Sequence, residues 1–378
     1  MNLHISQDFT VKYEYPVIFT NGVFNPENNS FRNVVEHAGK QRHRVLVIVD
    51  SGVLAVHPEL EVQVQTYFSK HSDIMLQAGG LFVVPGGEIA KQDFQIINQI
   101  YQLIIDQAIC RHSFVLVIGG GAVIDAVGYA VTTAHRGVRL IRMPTTVLAQ
   151  NDAALGVKNA INLNQRKNFI GTFSSPWAVI SDYDFLETLD ARDKRAGMAE
   201  AIKVALIRDR NFFDFLYEQR EALARFEKEP LQTLINQCAK LHLEHIATGG
   251  DPFEHGSARP LDFGHWLAHK LEELSQNKLR HGEAVAIGIA VDSHYSYQLG
   301  WISIEELKKI LELLNTLEFN LNTASLKQVK TEVALDEFRQ HLGGQLTITL
   351  IKGIGLSQEV DYIDNAVMQK SLQTIAAL

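Results

Sequence analysis

The first part of the chain alternates continuous apolar runs with segments of helical periodicity. Strands are predicted at 44–50, which ends in the carboxylate of Asp50, at 81–84 and at 114–118. The last of these three runs is continuously apolar and partly β-branched, which is typical of a strand buried on both faces. Between the second and third runs, residues 90–108 carry large apolar side chains at helical spacing. A further strand is predicted at 138–142. This alternation predicts an α/β domain with a mostly parallel, Rossmann-like sheet.

The pattern changes near residue 182 and becomes mainly helical. Helices are predicted at 194–207, 211–225, 231–246, 261–274, 282–299, 304–314 and 335–342, with one late strand at 345–350. We therefore expect two domains, an N-terminal α/β domain over 1–182 and a mainly α-helical domain over 183–378.

A glycine turn follows the third apolar run. Gly119, Gly120 and Gly121 lie between a predicted strand and a predicted helix at 122–133. Such a turn directs backbone N–H groups at an anion and lets a pyrophosphate approach the main chain. The alternative is a tight turn that only packs closely. The pattern G-G-G-x-x-x-D differs from G-x-G-x-x-G, so a standard Rossmann nucleotide site is not implied.

Histidines and one glutamate are the candidate metal ligands. His265 and His269 lie one helical turn apart, His281 begins another predicted helix, and Glu200 lies among small apolar residues. Imidazoles with one carboxylate suit Zn²⁺ or a similar divalent ion. The histidine pair could equally be a hydrogen-bonded pair without metal.

A second cluster favours phosphate. Lys158, Lys167 and Asn168 lie near a predicted strand end, where they could hold a phosphate or simply be solvated loop residues. Thr145 and Thr146 follow a predicted strand directly, which is where open α/β sheets bind ligands.

Composition excludes several classes of protein. The 378 residues carry a net charge of −8 without charged blocks, which argues against nucleic-acid binding and a polybasic membrane anchor. Two cysteines give no disulfide framework. No apolar run approaches the roughly 20 residues needed to span a bilayer, and the first residues lack the features of a signal peptide. We expect a cytoplasmic protein.

Eight ordered motifs resemble 3-dehydroquinate synthase and its sugar phosphate cyclase relatives. They are Pro85-Gly86-Gly87-Glu88-Ile89-Ala90-Lys91, the turn at 119–128, Arg136-Gly137, Pro144-Thr145-Thr146-Val147-Leu148-Ala149-Gln150, Lys167-Asn168-Phe169-Ile170-Gly171, the segment 197–203, Phe263-Gly264-His265 and His281-Gly282-Glu283-Ala284-Val285. The resemblance covers roughly residues 45–355. It implies an enzyme with NAD in the first domain and a divalent metal, Zn²⁺ or Co²⁺, in the second.

The resemblance also implies a role for individual residues. The metal ligands would be Glu200, His265 and His281, with His269 on the phosphate side rather than a fourth ligand. The NAD contacts would be Asp50, Glu88, Lys91, Gly120, Gly121, Asp125, Thr145 and Thr146. The substrate site would include Asp152, Lys158, Lys167, Asn168, Lys203, Asp262 and His269. Arg136 matches an arginine that reaches a neighbouring subunit's phosphate, which implies a homodimer.

The reaction implied is a cyclisation in which NAD is regenerated. A secondary alcohol of a sugar phosphate is transiently oxidised, phosphate is eliminated, the ketone is reduced again, and an intramolecular aldol step closes a carbocycle. Lysine and histidine side chains would bind phosphate and transfer protons.

Departures from the family pattern bear on the substrate. The synthase has a lysine where alignment through Asp251 places Glu244, an arginine where Ala258 stands, and an asparagine where Asp262 stands. Its double-lysine segment is replaced around Arg339-Gln340. Loss of two carboxylate-binding cations favours a substrate without a carboxylate, such as sedoheptulose 7-phosphate, converted to a valiolone-like cyclitol. Alternatively, Glu244 is an exposed partner of Lys240, or Arg259 compensates in a shifted register.

Three other functions stay open on the sequence. The first is 3-dehydroquinate synthase itself, and the second is a relative of the iron-dependent alcohol dehydrogenases, which share the glycine turn and a helical metal domain. The third is a non-catalytic scaffold, against which the set Glu200, His265, His281 and Lys203 argues.

Overall fold

The computed structural model describes residues 4–92, 94–164, 166–249, 253, 261–276, 278–342 and 344–378. In chain order its strands are β1 (Val17–Thr20), β2 (His43–Asp50), β3 (Met75–Val84), β4 (Phe114–Gly119), β5 (Arg139–Pro144), β6 (Lys158–Leu163), β7 (Arg166–Phe173), β8 (Ala178–Asp182), β9 (Ile348–Gly353) and β10 (Leu356–Val360).

The α-helices are α1 (Ser30–Glu36), α2 (Ser51–Val56), α3 (Leu60–Lys70), α4 (Phe94–Asp106), α5 (Gly121–Thr133), α6 (Ala191–Arg208), α7 (Arg210–Glu218), α8 (Arg220–Ala224), α9 (Lys228–Thr248), α10 (His265–Leu274), α11 (His281–Gln298), α12 (Ile304–Thr316), α13 (Thr331–His341) and α14 (Asn365–Ile375). Over the described ranges, no helix is both long and apolar enough to cross a membrane.

A six-stranded sheet forms the centre of the N-terminal part, in the order β1-β8-β5-β4-β2-β3. Strand β2 pairs in parallel with both β3 and β4, and β5 pairs in parallel with β8. The apolar runs 45–49 and 114–118 are buried throughout, as expected for strands covered on both faces. The predicted parallel α/β sheet is confirmed.

The chain divides into two compact units. The first comprises residues 1–118, 122–143 and 157–181, and the second comprises 119–121, 144–156 and 182–378. The glycine turn and the segment after β5 therefore group with the helical part, because they pack on it. The second unit holds α6 to α14, as the helical periodicity beyond residue 182 predicted.

Some elements differ from the prediction. The predicted helix 211–225 is two helices that meet at Gln219, and the predicted helix 261–274 begins only at His265, because Gly264 adopts a left-handed φ of +77°. Segment 158–173, for which no strand was predicted, forms an antiparallel hairpin of β6 and β7. Strand β7 is largely exposed, so it lacks the apolar pattern that marks a core strand.

Candidate active site

Glu200, His265 and His281 converge in the second unit. Glu200 lies within α6, whereas His265 and His281 are the first residues of α10 and α11. One ligand atom of each lies within 4.8 Å of the other two. The Nε2 atoms of both histidines lie 3.5 Å from Glu200 Oε1. His269 lies nearby, with its ring centroid 5.8 Å from that of His265, but it does not join this cluster among the described residues.

Each ligand is flanked by a glycine at which two backbones meet. A Cβ on Gly197, three residues before Glu200, would lie 2.5 Å from the backbone nitrogen of Leu148. A Cβ on Gly282 would lie 1.8 Å from the carbonyl oxygen of Ala196, and one on Gly288 would lie 2.1 Å from that of Gly264. Real Cβ atoms do not approach backbone atoms so closely. Glycine at 282 therefore lets α11 pack against α6, glycine at 288 lets α11 pack against the turn before α10, and glycine at 197 lets α6 pack against the segment around Leu148.

Hydrogen bonds fix the orientation of both imidazoles. His265 Nδ1 lies 3.2 Å from the carbonyl oxygen of Phe263, and His281 Nδ1 lies 2.8 Å from Glu272 Oε1. A carbonyl and a carboxylate only accept hydrogen bonds, so Nδ1 carries the proton in both rings. The Nε2 atoms are thereby left to bind a metal, as in other metal sites where a carboxylate orients a histidine.

The electrostatics of the cluster fit a divalent cation. Burial would raise the pKa of Glu200, but Lys203, His281 and His265 outweigh it and hold that pKa well below the usual value. Glu200 is buried; Lys203 pairs with its Oε2 atom, and the Nε2 atoms of His265 and His281 lie 3.5 Å from its Oε1 atom. A buried, ionised carboxylate beside two imidazole nitrogens is a set of ligand atoms that suits a divalent cation. These three residues form the metal site of the helical domain.

The two histidines have opposite proton affinities. Burial and the charge of Lys203 lower the pKa of His265 to about 3, so this ring is neutral. Burial also disfavours charge on His281, but hydrogen bonds with Glu200 and Glu272 outweigh burial and raise its pKa to about 10. A proton and a metal ion therefore compete for Nε2 of His281.

Lys203 is buried one helical turn after Glu200 and pairs with its Oε2 atom. Burial would lower the pKa of Lys203, but Glu200 and Asp152 outweigh it, with a further contribution from Asp262, and the pKa is raised. Lys203 is therefore a permanent cation surrounded by three carboxylates.

Asp152 projects from a π-helical turn at Ala149–Ala153, a rare conformation that is frequent at functional sites. Buried Gln150 and Asn151 anchor this turn, since Gln150 Nε2 donates to the carbonyl oxygens of Pro144 and Asp182 and Asn151 Nδ2 donates to that of Gly197. Asp152 Oδ1 lies 3.0 Å from His242 Nδ1 on α9. Sequence reasoning identified Asp152 but missed His242.

The glycine turn lies against the segment that follows β5. The backbone nitrogen of Thr145 donates to the carbonyl oxygen of Gly119 at 3.0 Å. A Cβ on Gly120 would lie 3.3 Å from Thr146 Cγ2. The structure thus brings together Gly120, Gly121, Thr145 and Thr146, four of the residues predicted to contact NAD.

The other four predicted NAD residues lie in the first unit. Asp50 ends β2, and its Oδ1 accepts a hydrogen bond from the backbone nitrogen of Gly52 at 2.8 Å. Lys91 is buried, with its Nζ 2.7 Å from Asp125 Oδ2, whereas Glu88 is exposed. The Lys91–Asp125 pair gives Lys91 a structural partner in addition to any role towards NAD.

The residues of the first unit that were predicted to bind phosphate are exposed. Lys158 and Lys167 are exposed on the β6–β7 hairpin, and Asn168 has a left-handed φ of +53° with its backbone nitrogen 2.9 Å from Asn162 Oδ1. Arg136 is exposed at the end of a 3₁₀ segment with a φ of +61°.

The sequence analysis used several departures from the family pattern to predict a substrate without a carboxylate, and the structure does not place all of them in the site. The side chain of Glu244 is 54% exposed and lies 3.9 Å from Lys240 Nζ, as the surface alternative predicted. Arg339 and Gln340 both bind exposed Asp336. Ala258, Arg259 and Asp251 lie outside the described residues. Asp262 is among the described residues, and its charge contributes to the raised pKa of Lys203.

A parallel α/β sheet joined to a helical unit that carries a glutamate–histidine–histidine centre is the arrangement of a metal-dependent enzyme. The family model for the 3-dehydroquinate synthase N-terminal region matches residues 81–196, and that for the C-terminal region matches 197–341. The 3-dehydroquinate synthase of Syntrophotalea carbinolica is 36% identical over 305 residues, which cover 79% of this chain and 83% of that protein.

A solved structure of ValA, the 2-epi-5-epi-valiolone synthase of Streptomyces hygroscopicus with NAD⁺ and Zn²⁺ bound, is 26% identical with a TM-score of 0.88 and covers 99% of both chains. A 2-deoxy-scyllo-inosose synthase shares the fold at 21% identity, with a TM-score of 0.77, and covers 95% of this chain and 96% of that one. The chain belongs to the 3-dehydroquinate synthase family and is a sugar phosphate cyclase, a carbon–oxygen lyase acting on phosphates. The dehydrogenase and scaffold alternatives are thereby set aside.

The hydrogen bond from His281 to buried Glu272 gives a testable prediction. Glu272→Gln removes the charge that orients His281, and we expect metal affinity to fall about 10–100-fold. The neighbouring Glu273→Gln is the control, because Glu273 is exposed and pairs with Lys270. Titration of both variants with Zn²⁺ against a competing chelator measures the effect. Equal affinities would show that Glu272 does not support the metal site.

Proposed function

We propose that this cyclase acts on a heptulose 7-phosphate that lacks a carboxylate, with sedoheptulose 7-phosphate favoured, and forms a valiolone-like cyclitol. The observation that carries the proposal is Asp262, a carboxylate whose charge acts on Lys203. Lys203 is already surrounded by the carboxylates of Glu200 and Asp152. A third carboxylate at this cation leaves it little capacity to bind an anionic substrate head.

The resemblance to the synthase sharpens this reasoning. The synthase has an asparagine where Asp262 stands, so this chain carries one more negative charge at that position. A carboxylate there repels a substrate carboxylate but accepts hydrogen bonds from substrate hydroxyls. The likeness to ValA, whose substrate also yields a valiolone, is consistent with this preference.

Two cofactors belong to the proposal. Glu200, His265 and His281 would hold a divalent metal, Zn²⁺ or Co²⁺. Residues Asp50, Glu88, Lys91, Gly120, Gly121, Asp125, Thr145 and Thr146 would contact NAD. When bound, NAD⁺ accepts and returns the hydride of one secondary alcohol, while the metal polarises substrate oxygens.

The protein's own residues would bind and orient the substrate. Lys203, which is buried and charged, would hydrogen-bond substrate oxygens, and Asp152 would accept a hydrogen bond from a substrate hydroxyl. Lys158, Lys167, Asn168, His269 and a partner subunit's copy of Arg136 would bind the phosphate, so we propose a homodimer. Phosphate leaves by elimination, and the reduced, ring-opened product closes by an intramolecular aldol step.

The test compares two substrates. Native protein with NAD and Zn²⁺ or Co²⁺ is given sedoheptulose 7-phosphate or 3-deoxy-arabino-heptulosonate 7-phosphate, and phosphate release is measured. We expect kcat/KM to favour the uncharged head by about 100-fold or more, because an unpaired buried charge costs several kcal/mol. In Asp262→Asn, the preference in kcat/KM for sedoheptulose 7-phosphate over the carboxylated substrate should fall about tenfold.

The control is Asp336→Asn, which makes the same change at an exposed aspartate that pairs with Arg339. This variant should leave the ratio of kcat/KM for the two substrates unchanged. Efficient formation of 3-dehydroquinate by the native protein would contradict the proposal.

That outcome would establish the second candidate, 3-dehydroquinate synthase. It is favoured by the sequence match to the Syntrophotalea carbinolica protein, which bears that name at 36% identity. Sequence identity at this level supports the family and the reaction type, whereas the charge of a single position such as 262 decides between substrates.

A further inference from the structure

Helix α9 contributes one residue to the site that the sequence alignment did not select. Its buried stripe consists of Leu231, Leu234, Ile235 and Cys238, at helical spacing. His242 lies four residues after Cys238 and continues that stripe, and its side chain is 12% exposed. Glu244 lies two residues further, about 200° around the helix, and is on the exposed face.

The stripe faces the charged cluster. Burial raises the pKa of the Cys238 thiol well above its usual value, and the charges of Asp152 and Glu200 raise it further. His242, one turn later, places Nδ1 3.0 Å from Asp152 Oδ1. Because the carboxylate only accepts, Nδ1 donates the proton of this hydrogen bond.

Asp152 needs such a donor. Burial would raise its pKa, but the charge and the hydrogen bond of His242 outweigh burial, and the pKa is lowered although Glu200 opposes this. Asp152 is therefore ionised in the presence of a second carboxylate, and its orientation is fixed from one side by His242.

We propose that His242 is a positioning residue that orients Asp152 in the substrate site and keeps it a hydrogen-bond acceptor for substrate hydroxyls. The proposal rests on the proposed function only in taking Asp152 as a substrate-site residue. It assigns to His242 the contribution of α9 that the alignment placed at position 244.

Two amide variants of His242 distinguish the effect of its hydrogen bond to Asp152 from the effect of losing the imidazole ring. In His242→Asn the side-chain nitrogen can take the place of Nδ1, whereas in His242→Gln it takes the place of Nε2 and cannot donate to Asp152 in the same geometry. We expect His242→Gln to lower kcat/KM about tenfold or more, and His242→Asn to stay within about threefold of the native value.

The control is His245→Asn on the same helix, where the imidazole Nδ1 lies 3.1 Å from a guanidinium nitrogen of Arg208 instead. This variant should match the native enzyme. Melting temperature and bound metal are measured for every variant, and both should be unchanged, since His242 contacts no metal ligand in the described part of the chain.

The decisive measurement is a double-mutant cycle. In an Asp152→Asn background, His242→Gln should lower kcat/KM by less than about twofold, because its effect acts through Asp152. If His242→Gln lowers kcat/KM by the same factor with and without Asp152→Asn, the two residues act independently and the proposal is wrong. It is also wrong if His242→Asn is as impaired as His242→Gln, or if His242→Gln keeps the native kcat/KM. The assay uses whichever of the two heptulose phosphates the native protein converts faster, so an error in the proposed substrate does not affect this result.

Discussion

His281→Asn is expected to lose both metal and turnover while the protein stays folded. Asparagine can still place a nitrogen near the former Nδ1 position and donate to Glu272, but it has no atom at the Nε2 position that lies 3.5 Å from Glu200 Oε1. A metal site with two remaining protein ligands binds far more weakly. We expect phosphate release to fall by at least about 1,000-fold, with little bound Zn²⁺ after dialysis. Glu200→Gln and His265→Asn should behave alike.

The matched control is His294→Asn, on the same helix α11. His294 is buried, and its Nδ1 lies 2.9 Å from Ser371 Oγ rather than near Glu200. This variant should keep its metal, as measured by elemental analysis of the purified protein. A His281→Asn variant that retains stoichiometric metal and native turnover would rule out the ligand assignment.

Gly288→Ala is expected to lower stability and metal affinity together. The new Cβ would lie 2.1 Å from the carbonyl oxygen and 2.8 Å from the carbonyl carbon of Gly264. These are backbone atoms in the turn that precedes His265, so no side chain can move aside, and α10 and α11 must separate. Overpacking costs about 1–3 kcal/mol, and the helix shift also moves one metal ligand away from another.

The control is Gly156→Ala, because the added Cβ would meet only Ile246 Cδ1 at 3.9 Å, an ordinary contact. Thermal unfolding and Zn²⁺ titration of both variants provide the measurement. If Gly288→Ala melts and binds Zn²⁺ as Gly156→Ala does, the close contact of Gly264 with Gly288 does not support the metal site.

Periodicity was sufficient for the architecture, and residue type indicated the metal centre without fixing its ligands. The continuous apolar runs at 45–49 and 114–118 predicted buried strands, whereas the choice of Glu200, His265 and His281 over His269 came from the resemblance to the family. An apolar run is local in sequence, so it predicts a strand without knowledge of the fold. Few residue types bind metal, so a histidine or a buried glutamate is a candidate ligand from its type alone.

Features that depend on contacts between distant segments were not predicted. The β6–β7 hairpin was missed because β7 is exposed, and the contacts of Gly197, Gly282 and Gly288 exist only between folded backbones. Glu244 was selected by alignment through a segment that departs from the family pattern, and the structure places it on the exposed face of α9 beside Lys240.

The left-handed turn at Gly264 bears on how substrates could change during evolution. The backbone nitrogen of His265 donates to the carbonyl oxygen of residue 262 at 2.9 Å, and that bond is the same whatever side chain position 262 carries. The break at Gly264 separates position 262 from the helix that carries the ligand. Under the proposed function, a mutation there would alter the charge offered to the substrate while the bond that holds the backbone of His265 stays in place. A single substitution could then change the substrate preference of a cyclase and leave its metal site intact.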